Sequence, residues 1–192
     1  AGDRILIDSG ENAKTGDYSS EDAFRRSQLT ETERARYDAA AKLFGGMEVE
    51  RYENLVKMVK EDKRGEETSL QKKQRDLQAL LDEGMSRREA YAFYSLATVS
   101  NPESVDWTDR EGACYAGLSD NAKEKYQEVS QYFVKLPVSD FSYIQDVLSG
   151  VEGIRDGNGR TISGSVKRNK IRVLMDMGMN EQEALIYYNI TG

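Results

Sequence analysis

Residues 80–94 read LLDEGMSRREAYAFY, and residues 174–188 read LMDMGMNEQEALIYY. In each segment, apolar residues at helical spacing lead into a glycine-methionine pair, followed by a serine or asparagine with a glutamate three residues later. Glycine commonly ends a helix by adopting the left-handed backbone conformation, and the pattern after it is a capping box that starts the next helix. The two segments therefore predict two helical hairpins with the same turn.

The similarity between the two halves extends well upstream of these hairpins. Apolar and aromatic positions match at an offset of 89 residues, and the offset becomes 94 from Lys73 and Lys167 onward. Thr30 and Ser119 occupy matching helix-start positions, and Thr30 is followed by the glutamate of a capping box. The second copy has five extra residues within the glycine-rich stretch SGVEGIRDGNGRTISGS at 149–165, which is typical of a loop.

A long internal repeat indicates one structural unit built twice. We predict an all-α fold of two tandem homologous four-helix units. The predicted segments are a polar N-terminal tail (1–27), the first helical repeat (28–96), an acidic connector (97–117) and the second helical repeat (118–192).

The composition restricts the class of protein. Hydrophobic residues make up 38% of the 192 residues, mean hydropathy is -0.72, and only two prolines occur, which favours long solvated helices. No apolar run is long enough to cross a membrane and the start of the chain has no signal-peptide pattern, so we expect a location in the bacterial cytoplasm or in a virion. The single cysteine, Cys114, suits a reducing compartment.

The net charge of -7 is unevenly distributed. The tail carries -2 and the connector -3, whereas each repeat carries only -1. A chain with this balance is a poor partner for nucleic acid or for an anionic membrane, so we expect a protein partner.

The residue types argue against an enzyme. The chain has no histidine, which removes the most frequent general base and zinc ligand, and one cysteine cannot build a cysteine-rich metal site. The loop that starts at Asp156 lacks the glycine and the glutamate that a calcium-binding loop requires at its sixth and twelfth positions. We therefore predict no catalytic residue, no metal and no cofactor.

Three groups of residues are candidates for contact with a partner. Hydroxyl and basic side chains at a helix start form a candidate anion or partner contact, for which a solvated basic face is the alternative: Ser163, Ser165, Lys167, Arg168, Lys170 and Arg172. Aromatic residues form a candidate partner face, for which packing in the core is the alternative: Tyr91, Tyr94, Tyr187, Tyr188 and Trp107. Connector carboxylates form a candidate mimic of nucleic acid: Glu103, Asp106, Asp109 and Glu111.

The second repeat also resembles a known kind of sequence. Residues 162–188 combine a serine-glycine-serine start, a basic and then apolar helix, a short turn, and a helix with Glu-Ala and tyrosines. This pattern is similar to repeats near the C-termini of large bacteriophage and mobile-element proteins, such as tail tape-measure, ejection and polyvalent proteins. A looser form of it occupies residues 69–94. The resemblance implies a phage or mobile-element origin, a role in contact or assembly, and no catalytic residue.

These observations lead to two hypotheses. The first is a non-enzymatic protein-protein interaction or assembly module of a phage or mobile element. The alternative is a small acidic inhibitor of a host defence nuclease, similar to an anti-CRISPR protein, in which the connector acids imitate nucleic acid.

Overall fold

The computed structural model describes residues 5–7, 16–18, 20–60, 65 and 67–192. Ten α-helices dominate this part of the chain, which confirms the predicted all-α class. In chain order they are α1 (Glu21–Ser27), α2 (Glu31–Leu43), α3 (Val49–Lys60), α4 (Ser69–Asp82), α5 (Arg87–Thr98), α6 (Arg110–Ala116), α7 (Asp120–Ser130), α8 (Val138–Ser149), α9 (Ser165–Asp176) and α10 (Glu181–Thr191). Two short antiparallel strands, β1 (Ile5–Ile7) and β2 (Gly16–Tyr18), precede them, with Ile5 opposite Tyr18.

The chain forms two compact units. Unit 1 comprises Ala1–Glu66 and Asp76–Gly117, and unit 2 comprises Glu67–Arg75 and Leu118–Gly192. The division passes through α4, and the connector residues belong to unit 1.

Four aromatic rings form the centre of unit 1. Tyr52 lies 5.6 Å from Tyr37 and 6.3 Å from Phe93 between ring centroids, and Phe93 lies 6.0 Å from Phe44. The Tyr37 hydroxyl lies 2.8 Å from the carbonyl oxygen of Met47, to which it donates. This bond satisfies the one polar atom that the buried Tyr37 ring brings into the core.

Four aromatic rings occupy the matching positions in unit 2. Phe141 lies 5.2 Å from Tyr126 and 6.4 Å from Tyr187, and Tyr187 lies 6.0 Å from Phe133. The Tyr126 hydroxyl donates to the carbonyl oxygen of Leu136 at 2.9 Å. The ring distances and the hydroxyl bond thus have the same pattern in the two units.

The two glycine-methionine turns follow the chemistry that the sequence predicted. Gly84 has φ 95° and Gly178 has φ 108°, so each adopts the left-handed conformation. The Met85 amide donates to the carbonyl of Leu80. In unit 2, the methionine and leucine at the equivalent positions form the same bond. A hydrogen bond from an amide to the carbonyl five residues earlier closes a Schellman turn and satisfies a carbonyl at the helix end.

Both predicted capping boxes after these turns are confirmed. Ser86 with Glu89, and Asn180 with Glu183, form the two reciprocal side-chain-to-backbone bonds. Only one of the two hydrogen bonds of the capping box predicted at Thr30 is present. Thr30 does cap α2, whereas its glutamate, three residues later, faces α3 and bonds a tyrosine hydroxyl there.

Two helices, α1 and α6, lie in segments for which the sequence predicted none. Asp22 of α1 accepts a 2.7 Å hydrogen bond from the backbone amide of Val49, and so caps α3 from a distance of 27 residues. Arg26 of α1 also forms a two-pronged ion pair with Asp38 of α2, at 2.8 and 2.6 Å. These contacts pack the end of the predicted tail against α2 and α3 within unit 1, whereas residues 1–4, 8–15 and 19 of that tail lie outside the described residues.

Candidate functional site

The extra residues of the second copy form an ordered hairpin. This insertion hairpin, residues 154–162, is closed by a 2.7 Å bond from the Ile162 amide to the Ile154 carbonyl. Nearer the tip, the Asp156 amide donates to the Arg160 carbonyl at 2.8 Å. The predicted loop therefore has its own regular hydrogen bonds, although it is not part of any helix.

Side chains fix the tip of the insertion hairpin. One carboxylate oxygen of Asp156 accepts from the amides of Asn158 and Arg160, at 2.8 and 2.9 Å. The Arg155 guanidinium donates to the carbonyl of Gly159 at 3.0 Å. An aspartate that bonds the backbone two residues ahead is a frequent means of holding a turn, so Asp156 has a structural role here.

Ser165 joins the insertion hairpin to the start of α9. Its hydroxyl is fully buried, donates to the carbonyl of Ile162 at 2.6 Å and accepts from the amide of Ile154 at 2.9 Å. A second link runs from the Asn169 side chain to the carbonyl of Glu152, at 2.8 Å. Ser165 is therefore turned inward, whereas Ser163 at the predicted anion contact is exposed.

The predicted basic residues lie on α9, the helix that follows this hairpin. Lys167, Arg168 and Arg172 are exposed, and Lys170 is half-buried. The Lys167 ammonium lies 5.4 Å from the centre of the Tyr188 ring, which is a cation-π distance. The bonds of Ser165 and Asn169 join the first turns of α9, on which these side chains begin, to the insertion hairpin and its base.

The basic surface includes two arginines that were not among the predicted contact residues. Arg155 and Arg160 are exposed on the hairpin itself. Residues 153–175 thus carry six cations against one carboxylate, a net charge of +5. Within the described part of the chain, none of these six cations forms an ion pair.

Two isoleucines add apolar area to this surface. Ile154 is 47% exposed and Ile162 is 41% exposed, although both belong to a segment with fixed hydrogen bonds. We call these two isoleucines and the six cations the hairpin surface: Ile154, Arg155, Arg160, Ile162, Lys167, Arg168, Lys170 and Arg172. Apolar and arginine side chains on a fixed backbone are typical of protein interfaces.

The predicted aromatic face is mostly buried. Tyr91, Tyr187 and Trp107 are 7%, 0% and 8% exposed, whereas Tyr94 and Tyr188 are half-buried. These aromatics therefore present little ring surface to a partner.

The polar atoms of two of these buried aromatics have internal partners. The Trp107 indole nitrogen donates to the carbonyl of Pro102 at 2.8 Å, which fastens the connector. The Tyr187 hydroxyl donates to the side-chain oxygen of Gln145 at 2.7 Å, and burial raises the pKa of Tyr187. Both residues therefore act in packing.

The connector acids differ in their surroundings. Glu103 and Asp106 are exposed. Asp109 caps α6 by accepting from the amide of Gly112 at 2.6 Å. Glu111 lies 2.7 Å from the Arg88 guanidinium. Two of the four predicted mimic residues thus have local partners.

A charged cluster in unit 1 was not predicted from the sequence. Glu33 accepts from the Tyr52 hydroxyl at 2.9 Å and from the Lys60 ammonium at 3.1 Å, and it lies 3.3 Å from the Arg36 guanidinium. Burial raises the pKa of Glu33, but the hydrogen bonds from Tyr52 and Lys60 outweigh it, so the pKa is lowered overall. Arg36 is itself buried and donates to the carbonyl of Leu96 at 2.8 Å, so the cluster ties α2 to α3 and α5.

Among the described residues, no three acidic or cysteine side chains lie together as a metal ion would require. Within the same residues, no helix combines the length and the apolar character needed to cross a membrane. Comparisons with models of protein families, with curated proteins and with solved structures found no match to this chain.

Proposed function

We propose that the chain contains two copies of one four-helix unit, α2 to α5 and α7 to α10, of which the second has acquired a contact surface. The repeated tyrosine-to-carbonyl bond supports this proposal, since Met47 and Leu136 match at the offset of 89 residues that also relates Tyr37 to Tyr126. The repeated aromatic distances and the two equal turns support it as well.

We further propose that the chain is a non-enzymatic protein-protein interaction or assembly module of a phage or mobile element. The observation that carries this proposal is the hairpin surface, because its backbone is held by internal bonds while its isoleucines and cations face solvent. A surface that is already ordered loses little conformational entropy when it binds. The resemblance of residues 162–188 to repeats of phage and mobile-element proteins supports the same role.

The mixture of side chains favours an acidic protein surface over nucleic acid as the partner. Cations alone would suit either one, since both carry negative charge. Burying Ile154 and Ile162 is favourable only against apolar groups, at about 25 cal/mol per Å² of area removed from water. A phosphate backbone offers little apolar area, so the isoleucines favour a protein.

Affinity capture tests this proposal. The full chain is used as bait in a lysate of cells that produce it, beside the variant Arg168→Glu/Arg172→Glu. These two exposed residues lie one helical turn apart on α9, and glutamate is compatible with a helix. We expect the wild-type bait to retain specific proteins that the variant loses, because like charges across an interface repel.

The control is the variant Lys57→Glu/Lys135→Glu, which changes net charge equally at two exposed residues outside the hairpin surface. This bait should retain the same proteins as the wild type. Equal capture by all three baits would show that the hairpin surface is not the contact.

A second candidate function is inhibition of a host defence nuclease by the acidic connector. The exposure of Glu103 and Asp106 favours it, whereas the local partners of Asp109 and Glu111 make the charged surface smaller than the sequence predicted. The variant Glu103→Gln/Asp106→Gln should then release a basic nuclease from the bait. Unchanged binding of that nuclease would contradict the mimicry.

A further inference from the structure

We propose that the acidic complement of the hairpin surface is the connector of a second copy of this chain, so that copies bind head to tail. This inference rests on the proposed assembly function and names the partner of the same surface. It follows from where the charge lies, from which charges have local partners, and from the fact that the two surfaces differ.

The charge of the chain is strongly divided. Residues 153–175 carry +5, so the remaining 169 residues carry 21 cations against 33 carboxylates, or -12. Acidic groups that complement the charge of the hairpin surface are therefore present on every other copy at the same concentration. Complementary potentials of this kind steer encounter and fix the orientation of the partners.

Within the acidic remainder, the connector offers carboxylates that the fold does not use. Glu103 and Asp106 are exposed and, within the described part of the chain, neither forms an ion pair. The segment that bears them is itself fixed, because the buried Trp107 indole bonds the carbonyl of Pro102. The two carboxylates thus lie on an ordered segment and are opposite in charge to the cations of the hairpin surface.

A contact between two different surfaces of the same protein has a defined consequence. A pair of bound copies retains one unused hairpin surface and one unused connector, so association continues unless the rotation between copies closes a ring. The chain should therefore form oligomers that grow with concentration. The ionic part of the contact is screened by salt, so association should weaken as salt is added.

Sedimentation velocity of the purified full chain tests the inference. It is carried out over a dilution series in about 0.02 M and about 0.5 M salt, because the screening length falls from about 30 Å at 0.01 M to about 3 Å at 1 M. We expect the average sedimentation coefficient to rise with concentration in low salt and to stay at the monomer value in high salt.

Charge reversal locates the contact. Arg168→Glu/Arg172→Glu alone, and Glu103→Lys/Asp106→Lys alone, should each weaken self-association by at least about tenfold. A mixture of these two variants should form alternating chains, because every contact then joins either two wild-type surfaces or two reversed surfaces. The four substitutions combined in one polypeptide reverse charges on both sides of every contact and should restore oligomers that grow with concentration. Lys57→Glu/Lys135→Glu should associate as the wild type does, and helical circular dichroism confirms that each variant is folded.

Two results would overturn the inference. One is a wild-type chain that stays monomeric in low salt at about 1 mM, a concentration at which self-association with a dissociation constant near 1 mM is detected. The other is association that persists when either surface is reversed. An acidic peptide or a DNA duplex that binds the hairpin surface of a strictly monomeric chain would identify another occupant and would equally reject self-assembly.

The failure of this inference is distinguishable from failure of the proposed function. A monomeric chain that still retains lysate proteins through the hairpin surface would keep the interaction role and exclude the head-to-tail contact. A chain that neither associates nor retains proteins would contradict both.

Discussion

At the scale of single residues, the clearest feature is a tyrosine hydroxyl that bonds a loop carbonyl in each unit. Tyr37 of α2 bonds Met47 in the turn before α3, and Tyr126 of α7 bonds Leu136 in the turn before α8. The sequence predicted that the two tyrosines are equivalent. It gave no sign of the bonds, because the carbonyl partner is a backbone atom that any residue supplies.

Removing this hydroxyl should cost stability. We expect Tyr126→Phe to lower the free energy of unfolding by about 1 kcal/mol, the usual net contribution of one hydrogen bond. Urea unfolding followed by circular dichroism measures this change. Tyr132→Phe is the control, because Tyr132 is 60% exposed and its hydroxyl can bond water in either state. Equal stability of both variants would show that the bond to Leu136 does not stabilise unit 2.

A pH prediction follows from Glu33. The folded state lowers the pKa of this carboxyl below the usual 4.5, so its contribution to stability is complete above that pH and is lost as the pH falls through the folded-state pKa. The stability difference between the wild type and Glu33→Gln should therefore shrink in acid. Urea unfolding at neutral pH and at about pH 3 measures it. A difference that is the same at both pH values would contradict a role for the Glu33 charge.

At the scale of elements, the two helical hairpins were predictable because their signals are local. A helix end needs a left-handed residue, and the next helix start needs a cap within three residues, so a few consecutive letters specify the turn. Gly84 and Gly178 satisfy the first requirement, and the serine or asparagine that follows satisfies the second. Eight helices lie where the repeat indicated.

The helices that the sequence analysis missed depend on distant contacts. Helix α1 is held by Asp22 and Arg26, whose partners lie on α3 and α2. Helix α6 has only seven residues, and its Cys114 is buried against other parts of unit 1. Short helices have little stability of their own, so the local sequence of these two polar segments did not predict a helix.

The turn glycines allow a direct test at this scale. Gly84→Ala and Gly178→Ala should each destabilise the fold by about 1 kcal/mol, because an alanine side chain strains the left-handed conformation. Gly157→Ala should have a much smaller effect, since Gly157 is not in the left-handed conformation, while an added methyl group has no atom within 4 Å at any of the three positions. Thermal unfolding of the three variants compares them. An undisturbed Gly178→Ala variant would contradict the turn in unit 2.

At the scale of the whole molecule, the two units have similar aromatic cores and different surfaces. The aromatic distances of the cores agree to within a few tenths of an ångström. The insertion hairpin has no equivalent in the first copy, and of the four cations on α9 only Lys167 aligns with a cation there, Lys73. Function is therefore best sought in what the second unit added.

The candidate site was only partly predictable. The basic helix start was visible in the sequence, because charges stand out in composition. Ile154 and Ile162 were not identified, because only the folded hairpin shows that they are exposed. Trp107 and Tyr187 were proposed as contacts and are buried, since a sequence does not distinguish an aromatic anchor on the surface from one in the core.

The apolar part of the hairpin surface gives the most direct test of the central claim that this surface binds a protein. The measurement is quantitative affinity capture with full-length Ile154→Ser/Ile162→Ser as bait, beside Tyr132→Ser/Val134→Ser. Tyr132 and Val134 are 60% and 84% exposed, more than either isoleucine. We predict that the isoleucine variant loses the partners retained by the wild-type bait and that the control keeps them. Full capture by the isoleucine variant, or loss by the control alone, would contradict the claim.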